Sequence, residues 1–197
     1  EHIYYYSISA LNNFFTKYGM TVIDFEEIPI HAGSIRVDVL NYNVDTPQKI
    51  FERLLKEHKT IGNPKYMLDF TDKVKNHIKY FKKQIKELSK DYKIAGYGAS
   101  GRANMFCNLT DLDENIVQFI VDESPERCGR YIANTKIPIV DVDTLKNSDV
   151  DIIIIFAWNY SKMIIEKTQF KKYKYLVAFP NVQLVDSYDD LKGFDSI

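Results

Sequence analysis

Three glycines with the spacing G-x-G-x-x-G constrain the fold of this chain more than any other stretch. They occur in residues 93–102, where a short apolar run ends and a helical pattern begins. A second β-rich run, residues 116–121, ends on Asp122, which follows Gly101 by 21 positions. Strand, glycine turn, helix, strand and acidic end form the order of a dinucleotide-type βαβ unit. The sequence therefore predicts a ligand that carries a nucleotide or a phosphate.

Each glycine of this turn has a different expected role. Gly96 allows a tight turn, Gly98 lets the backbone approach a phosphate, and Gly101 lets the helix pack on the strand. The free N–H groups at the start of that helix would then face an anion. Ser100 and Arg102 are expected to assist them. The candidate ligand-binding residues here are Gly96, Tyr97, Gly98, Ala99, Ser100, Gly101, Arg102 and Asp122.

From Ile94 onward, strand and helix patterns alternate as β-α-β-α-β-α-β. Residues 151–156 are a nearly continuous apolar run, which is typical of a strand buried on both faces of a parallel sheet. The alternation predicts an α/β fold with a Rossmann-like, doubly wound parallel sheet and right-handed crossovers. Ligands of such sheets bind outside the carboxyl ends of the strands. We expect that edge to contain residues 98–102, 122–124, 157–159 and 180–181.

The first 44 residues read as the edge of another sheet. Residues 7–18 have the apolar spacing of an amphipathic helix with a glycine after its end. Residues 20–28 and 34–40 read as two strands. A helix and a hairpin do not form a closed domain, so we expect this segment to belong to an adjoining α/β domain.

Two helices are expected between the two sheets. The first begins with Thr46 as N-cap and Pro47 at its first position, and the second covers about residues 66–92. Lysines flank the apolar seam of the second helix, and we interpret them as a solvated face rather than a basic binding surface. The predicted organisation is therefore 1–44, 45–92 and 93–197.

Composition excludes several classes of partner. The 26 basic and 27 acidic side chains nearly cancel, which gives no reason to expect a nucleic acid. Cys107 and Cys128 lack metal-site spacing and are read as free cytoplasmic thiols. The longest apolar run is too short to span a bilayer, so no membrane partner is expected. The chain begins without Met, and we interpret it as a piece of a longer protein.

Several short motifs together resemble one family. They are E-H-I-Y-Y-Y-S at residues 1–7, I-P-I-H-A-G-S-I-R at residues 28–36 and G-Y-G-A at residues 96–99, followed by D-E-S-P-E-R-C-G-R-Y at residues 122–131 and I-P-I at residues 137–139. In this order they resemble the S-adenosylmethionine-dependent C-methyltransferases that act on nucleotide-linked keto-sugars. The family pattern has glycine where Ala32 stands and often lysine where Arg102 stands. Ala103 also stands where a glycine usually follows, and the Pro-Gly pair before I-P-I is replaced around residues 133–134. These last differences imply a different sugar or a reshaped pocket.

The resemblance implies a domain organisation and two cofactors. Such enzymes have an N-terminal zinc-binding domain, a central S-adenosylmethionine domain and a C-terminal Rossmann-like domain. By resemblance, residues 1–44 are the end of the central domain and residues 93–197 are the C-terminal, nucleotide-sugar-binding domain. Zinc and most of the S-adenosylmethionine site would then lie outside this chain, which is not expected to methylate by itself. No metal site is expected within it.

The resemblance also assigns a base. The family reaction removes a proton from the carbon next to a keto group, and a histidine that is neutral near pH 7 suits this task. His2 is implied as the base and Glu1 as its orienting partner, with Tyr5 in the same motif. Without the family, a histidine at this position is more often simply exposed.

A second candidate cluster lies around residues 31–36. His31 stands in a predicted loop, Ser34 follows it, and Arg36 is able to bind a phosphate or a carboxylate with two hydrogen bonds. The competing interpretation is a hairpin in which Arg36 is only part of the polar face of a strand. His58 and His77 lie among lysines on predicted helix surfaces and receive no role.

Two other functions remain open at this point. The glycine pattern with Asp122 at the ribose spacing also fits an NAD(P)-binding oxidoreductase domain. A non-catalytic nucleotide-sugar-binding module would use the same turn without any role for His2.

Overall fold

The computed structural model describes residues 3–28 and 33–193. They divide into two compact units, of which the first ends at Val74 and the second begins at Lys75. Each unit has its own apolar core. Within the described part of the chain, no helix is long and apolar enough to cross a membrane.

The first unit contains two helices and an antiparallel strand pair. Its elements are α1 (Ile8–Thr16), β1 (Thr21–Ile28), β2 (Ser34–Leu40) and α2 (Gln48–Lys59), and β1 pairs with β2. Ser7 caps α1, because its hydroxyl oxygen accepts the N–H of Ala10 at 3.1 Å. The core of the unit forms around Ile8, Val22 and Ile50, which are fully buried.

Helix α2 begins one position later than its sequence suggests. Pro47 has the extended backbone of an N-cap (φ −61°, ψ 150°), and no side chain caps the helix. The predicted N-cap, Thr46, therefore lies just outside. The boundary shift is within the usual variation of helix ends.

A long helix, α3 (Pro64–Leu88), contains the boundary between the units. Pro64 occupies its first position, where the missing N–H of proline costs nothing. The carboxamide oxygen of Asn63 accepts the N–H of Lys65 at 3.0 Å. The buried residues of α3 are Phe81 and Ile85, both in the second unit.

The second unit is a mixed α/β structure with one six-stranded sheet. Its strands are β3 (Ile94–Tyr97), β4 (Ile120–Val121), β5 (Ile139–Val140), β6 (Ile152–Ile155), β7 (Lys174–Val177) and β8 (Gln183–Val185). The helices between them are α4 (Gly101–Thr110), α5 (Val142–Lys146) and α6 (Ser161–Lys167). The sheet order is β5-β4-β3-β6-β7-β8, and every neighbouring pair is parallel except β7 and β8. The sheet is therefore mostly parallel, in an order compatible with a Rossmann-like fold.

Both faces of this sheet are covered by apolar side chains. In β6, Ile152 and Ile154 belong to the cluster that contains Phe106 of α4, whereas Ile153 and Ile155 belong to the cluster that contains Ile164 of α6. Alternate residues of a strand point to opposite faces, so an unbroken isoleucine run fits a strand buried on both sides.

The chain itself covers the outer edge of β5. The backbone N–H of Ile139 donates to the carbonyl of Arg130 at 2.8 Å, and the N–H of Gly129 donates to the carbonyl of Ile139 at 2.9 Å. Pro138, just before the strand, has no N–H to offer. Both β4 and β5 are only two residues long, and β4 is shorter than the β-rich run at residues 116–121 suggests.

Candidate functional site

The direction of strand order reverses between β3 and β6, and two loops meet there. Gly98 follows β3 with φ +93°, a left-handed conformation that favours glycine. A Cβ added to Gly98 would lie 2.8 Å from the Cβ of Ala157, which follows β6. The loops after β3 and β6 are therefore in direct contact. In open α/β sheets, ligands bind in the crevice at this reversal point.

Helix α4 starts at the same point with its N-terminus uncapped by a side chain. Ser100 is its N-cap, with an extended backbone (φ −82°, ψ 174°), and makes no side-chain capping bond. The N–H groups of the first helical turn have no acceptor within the helix. Because these groups and the helix dipole carry partial positive charge, this end of α4 suits an anion.

Polar atoms near this point are buried and have no hydrogen-bond partner among the described residues. They are Oγ of Ser100, Oδ1 of Asn104, Oδ1 of Asn159 and Nε2 of His77. A buried polar atom without a partner is costly, and native proteins keep few of them. Such atoms are expected where a ligand or ordered water completes the bonding.

A series of ring contacts extends from α4 to α3. The guanidinium of Arg102 lies 5.0 Å from the centre of the Trp158 ring. The rings of Trp158 and Phe179 are 4.7 Å apart, and those of Phe179 and His77 are 4.8 Å apart. Trp158, Phe179 and Arg102 thus come from the loops after β6 and β7 and from the first turn of α4.

Sequence reasoning gave no role to His77, although its position carried a signal. His77 precedes the buried Phe81 by four residues and Ile85 by eight. Residues four apart share a face of a helix, so His77 lies on the packed face of α3 rather than among its exposed lysines. Its ring then reaches Phe179.

Gly96 contributes to this region through packing. It lies inside β3 and is buried. A Cβ there would be 2.4 Å from the ring of Phe156 and 2.8 Å from Ile120. The missing side chain therefore makes room for the core behind the turn.

Asp122 lies directly after β4 and is only 6% exposed. Its Oδ2 accepts the backbone N–H of Ala99 at 2.8 Å, and its Oδ1 accepts that of Ser124 at 2.8 Å. The guanidinium of Arg127 lies 3.2 Å from Oδ2 and 3.4 Å from Oδ1. The carboxylate thus joins the glycine turn to the loop after β4.

A second set of hydrogen bonds holds the side chain of Tyr97, the residue between the first two glycines. Its hydroxyl donates to Glu123 at 2.9 Å, and Lys167 donates to the same carboxylate at 3.0 Å. The hydrogen bond from Lys167 and, to a smaller extent, that from Tyr97 hold the pKa of Glu123 below its ordinary value. Burial, reinforced by the bond to Glu123, raises the pKa of Tyr97, so the phenol stays neutral and serves as a donor.

A cavity of about 670 Å³ opens beside this network, at the ends of β3, β4 and β5. Its lining includes Tyr97, Asp122, Glu123, Val142, Lys167 and Phe170. The volume lies in the range of small-molecule sites. The lining is mostly charged, since it also contains Asp141, Asp143 and Lys146.

Three candidate residues of the first unit lie in its described part. Tyr5 is exposed, Ser34 is the first residue of β2, and Arg36 forms an ion pair with Glu26 across the hairpin. That ion pair agrees with the interpretation of Arg36 as part of the polar strand face. The candidate residues Glu1, His2 and His31 lie outside the described residues. Within residues 3–28 and 33–193, no group of three or more His, Cys, Asp or Glu side chains is placed to hold a metal ion.

A mostly parallel α/β sheet, with a glycine turn and a helix N-terminus at its reversal point, defines a broad class of ligand-binding domains. The chain belongs to the C-methyltransferase C-terminal domain family, whose sequence profile matches residues 29–180. It is also similar to the C-methyltransferase NovU of Streptomyces niveus, with 24% identity over 170 residues. That match covers 84% of this chain and 40% of the relative, so the chain spans about two fifths of the length of that protein.

Proposed function

We propose that this chain is the acceptor-binding part of an S-adenosylmethionine-dependent C-methyltransferase that acts on a nucleotide-linked keto-sugar. The observation that carries the proposal is the glycine turn at the reversal point, where α4 directs its free N–H groups outward beside Gly98. Membership of the C-methyltransferase C-terminal domain family supports the reaction class.

The chemistry of the turn favours the acceptor over the methyl donor. A nucleotide-linked sugar carries a diphosphate, which suits the positive end of α4. S-adenosylmethionine carries a sulfonium cation and no phosphate, and it supplies the methyl group when it is bound. We therefore assign the donor, and the zinc that the family resemblance implies, to parts of the methyltransferase outside this chain.

Arg102 has a defined task in this proposal. Its guanidinium, held over Trp158, offers planar paired donors to a phosphate next to the helix N-terminus. The cavity at the ends of β3, β4 and β5 has room for the nucleoside. The buried polar atoms of Ser100 and Asn159 would then bond to the ligand.

The base remains a proposal from the motif at residues 1–7. His2 would remove the proton from the carbon next to the keto group, giving an enediolate that accepts the methyl group. Glu1 would orient the imidazole. A positioned general base contributes roughly 100- to 10,000-fold to a rate.

Calorimetric titration of the chain with UDP- and TDP-linked sugars and with NADH tests the binding. We expect the sugar nucleotides to bind and NADH to bind at least about tenfold more weakly. Arg102→Ala should weaken sugar-nucleotide binding about tenfold, and Arg102→Lys should restore only part of it, because a charged hydrogen bond contributes about 1.5–3 kcal/mol. Arg130→Ala, at an exposed residue of another loop, is the matched control. Tight NADH binding without sugar-nucleotide binding would favour an NAD(P)-dependent oxidoreductase domain.

Methyl transfer tests the reaction. The chain alone, supplied with S-adenosylmethionine and a keto-sugar nucleotide, is expected to show no turnover, and robust turnover would contradict the proposed division of labour. In a longer protein that joins this chain to the donor-binding part, His2→Ala should lower turnover at least about 100-fold. Intact turnover in that variant would favour a non-catalytic nucleotide-sugar-binding module.

A further inference from the structure

The carboxylate of Asp122 stands at the sequence position where dinucleotide-binding sheets place the acid that bonds to a ribose hydroxyl. It follows the last glycine of the motif by 21 positions and comes directly after β4. Spacing alone therefore assigns Asp122 to the ligand. Its hydrogen bonds, however, are made to the backbone of the protein itself.

Both carboxylate oxygens are occupied by the chain itself. Oδ2 accepts the N–H of Ala99, Oδ1 accepts the N–H of Ser124, and the guanidinium of Arg127 lies within 3.4 Å of both oxygens. A carboxylate has about four acceptor sites, and these contacts use them. With the residue 6% exposed, little of it is left for a ribose diol.

The same bonds determine how the glycine turn presents its amides. The N–H of Gly98 donates to the carbonyl of Val121 at 2.8 Å, and the N–H of Ala99 donates to Asp122. Both amides at the bend are thus directed toward β4 and its loop. The first-turn N–H groups of α4, beginning at Gly101, remain for an anion.

We propose that Asp122 is a positioning residue that holds the glycine turn in its phosphate-binding form and does not read the ribose of the ligand. The inference rests on the proposed function, because it takes the ligand to be a nucleoside diphosphate. On this inference, the site recognises the diphosphate of its ligand, and Asp122 does not contribute recognition of the ribose 2′-hydroxyl.

A pair of nucleotides that differ only in that hydroxyl separates the two roles. The chain and its Asp122→Asn variant are titrated with UDP and with 2′-deoxy-UDP. Asparagine keeps one oxygen acceptor but places an N–H₂ group against the second backbone N–H, so the turn loosens. We expect the variant to bind both nucleotides about tenfold more weakly, with the ratio of the two affinities unchanged. Asp186→Asn, an exposed acid after β8 paired with Lys174 at the start of β7, is the matched control and should change neither affinity.

Amide hydrogen exchange supplies a readout that is independent of any ligand. Asp122→Asn should speed exchange at Ala99 and Ser124 while the far-UV circular dichroism stays native. If Asp122→Asn does not fold, Arg127→Met keeps both amide bonds and removes only the ion pair. It should then weaken both nucleotides in the same direction by a smaller factor.

Three results would overturn the inference. A wild-type preference for UDP that disappears in Asp122→Asn would place the carboxylate on the ribose. Unchanged exchange at Ala99, or unchanged affinity for both nucleotides in the variant, would show that Asp122 does not position the turn. Failure of the wild-type chain to bind either nucleotide would contradict the proposed function itself, a result distinct from the other outcomes.

Discussion

Replacing Glu57 with alanine tests how the helices of the first unit hold together. Glu57 lies in α2 and is 5% exposed, and its carboxylate accepts hydrogen bonds from the backbone of α1. Oε1 accepts the N–H of Ile8 at 3.1 Å, and Oε2 accepts the N–H of Ser9 at 2.7 Å. Arg53 donates to Oε1 at 2.8 Å. A carboxylate at the first turn of α1 satisfies two amides and complements the helix dipole.

The magnitude follows from these contacts. A hydrogen bond to a charged group contributes about 1.5–3 kcal/mol, and removing one partner of a buried ion pair costs about 3–5 kcal/mol. The side chain of Arg53 is 20% exposed, so water recovers part of its interaction and the lower end applies. We expect Glu57→Ala to lower the free energy of unfolding of the first unit by about 3 kcal/mol. Glu57→Gln, which keeps one oxygen acceptor, should lower it by about 1.5 kcal/mol.

Urea unfolding followed by far-UV circular dichroism measures this loss, and amide exchange at Ile8 and Ser9 locates it. The control is Glu52→Ala, an exposed glutamate of the same helix whose Oε1 accepts a hydrogen bond from Gln48. It should change stability by less than about 0.5 kcal/mol. A Glu57→Ala variant that matches this control would refute the role of the carboxylate.

The same residue predicts a pH dependence. Burial alone would raise the pKa of Glu57, but the hydrogen bonds from Ser9 and Arg53 outweigh it and hold the pKa below its ordinary value of about 4.5. A carboxyl with a lowered folded pKa contributes fully above the unfolded pKa and loses its contribution as the pH falls through the folded pKa. The stability gap between wild type and Glu57→Gln should therefore stay constant between about pH 6 and 8 and narrow below about 4.5. A gap that widens in acid would contradict this assignment.

Three further changes test the second unit. Gly96→Ala should destabilise it by about 1–3 kcal/mol in urea, because the new methyl group overlaps the ring of Phe156; an unchanged midpoint would contradict that packing. Gly98→Ala should cost about 1–3 kcal/mol in thermal unfolding, because φ is +93° there, and a neutral result would mean that the turn relaxes. Iodoacetamide at pH 8, read by mass spectrometry, should label Cys128 and spare Cys107, because burial raises the pKa of the Cys107 thiol to about 12.

The sequence predicted the strongly patterned parts of the second unit. The isoleucine run of β6 and the strand-turn-helix of β3 and α4 carry signals that local sequence determines: an unbroken apolar run and a glycine spacing. The strands β5 and β8 were not expected. They are two and three residues long, and their pairing depends on neighbours that are distant in sequence.

The sequence predicted the location of the candidate site but not the hydrogen bonds within it. The glycine spacing located the turn, but it did not reveal that Asp122 would bond to the backbone of Ala99 instead of facing outward. A carboxylate at the end of a strand has the same spacing from the glycines whether it faces a ligand or bonds to the backbone. The conformation of the loop after the strand determines which of the two occurs. His77 was missed because its lysine neighbours suggested a solvated face, whereas its four-residue spacing to Phe81 determines its contact.

The covered edge of β5 has a consequence for how the protein behaves at high concentration. An open sheet edge is a template on which another chain adds a strand, and such pairing is a common route to aggregation. At β5, the outward backbone groups of Ile139 are already bonded to Arg130 and Gly129 of the same chain, and Pro138 adds no donor. Intermolecular strand addition is therefore blocked at this edge, so the two apolar residues of β5 need no charged neighbour in the strand to prevent it.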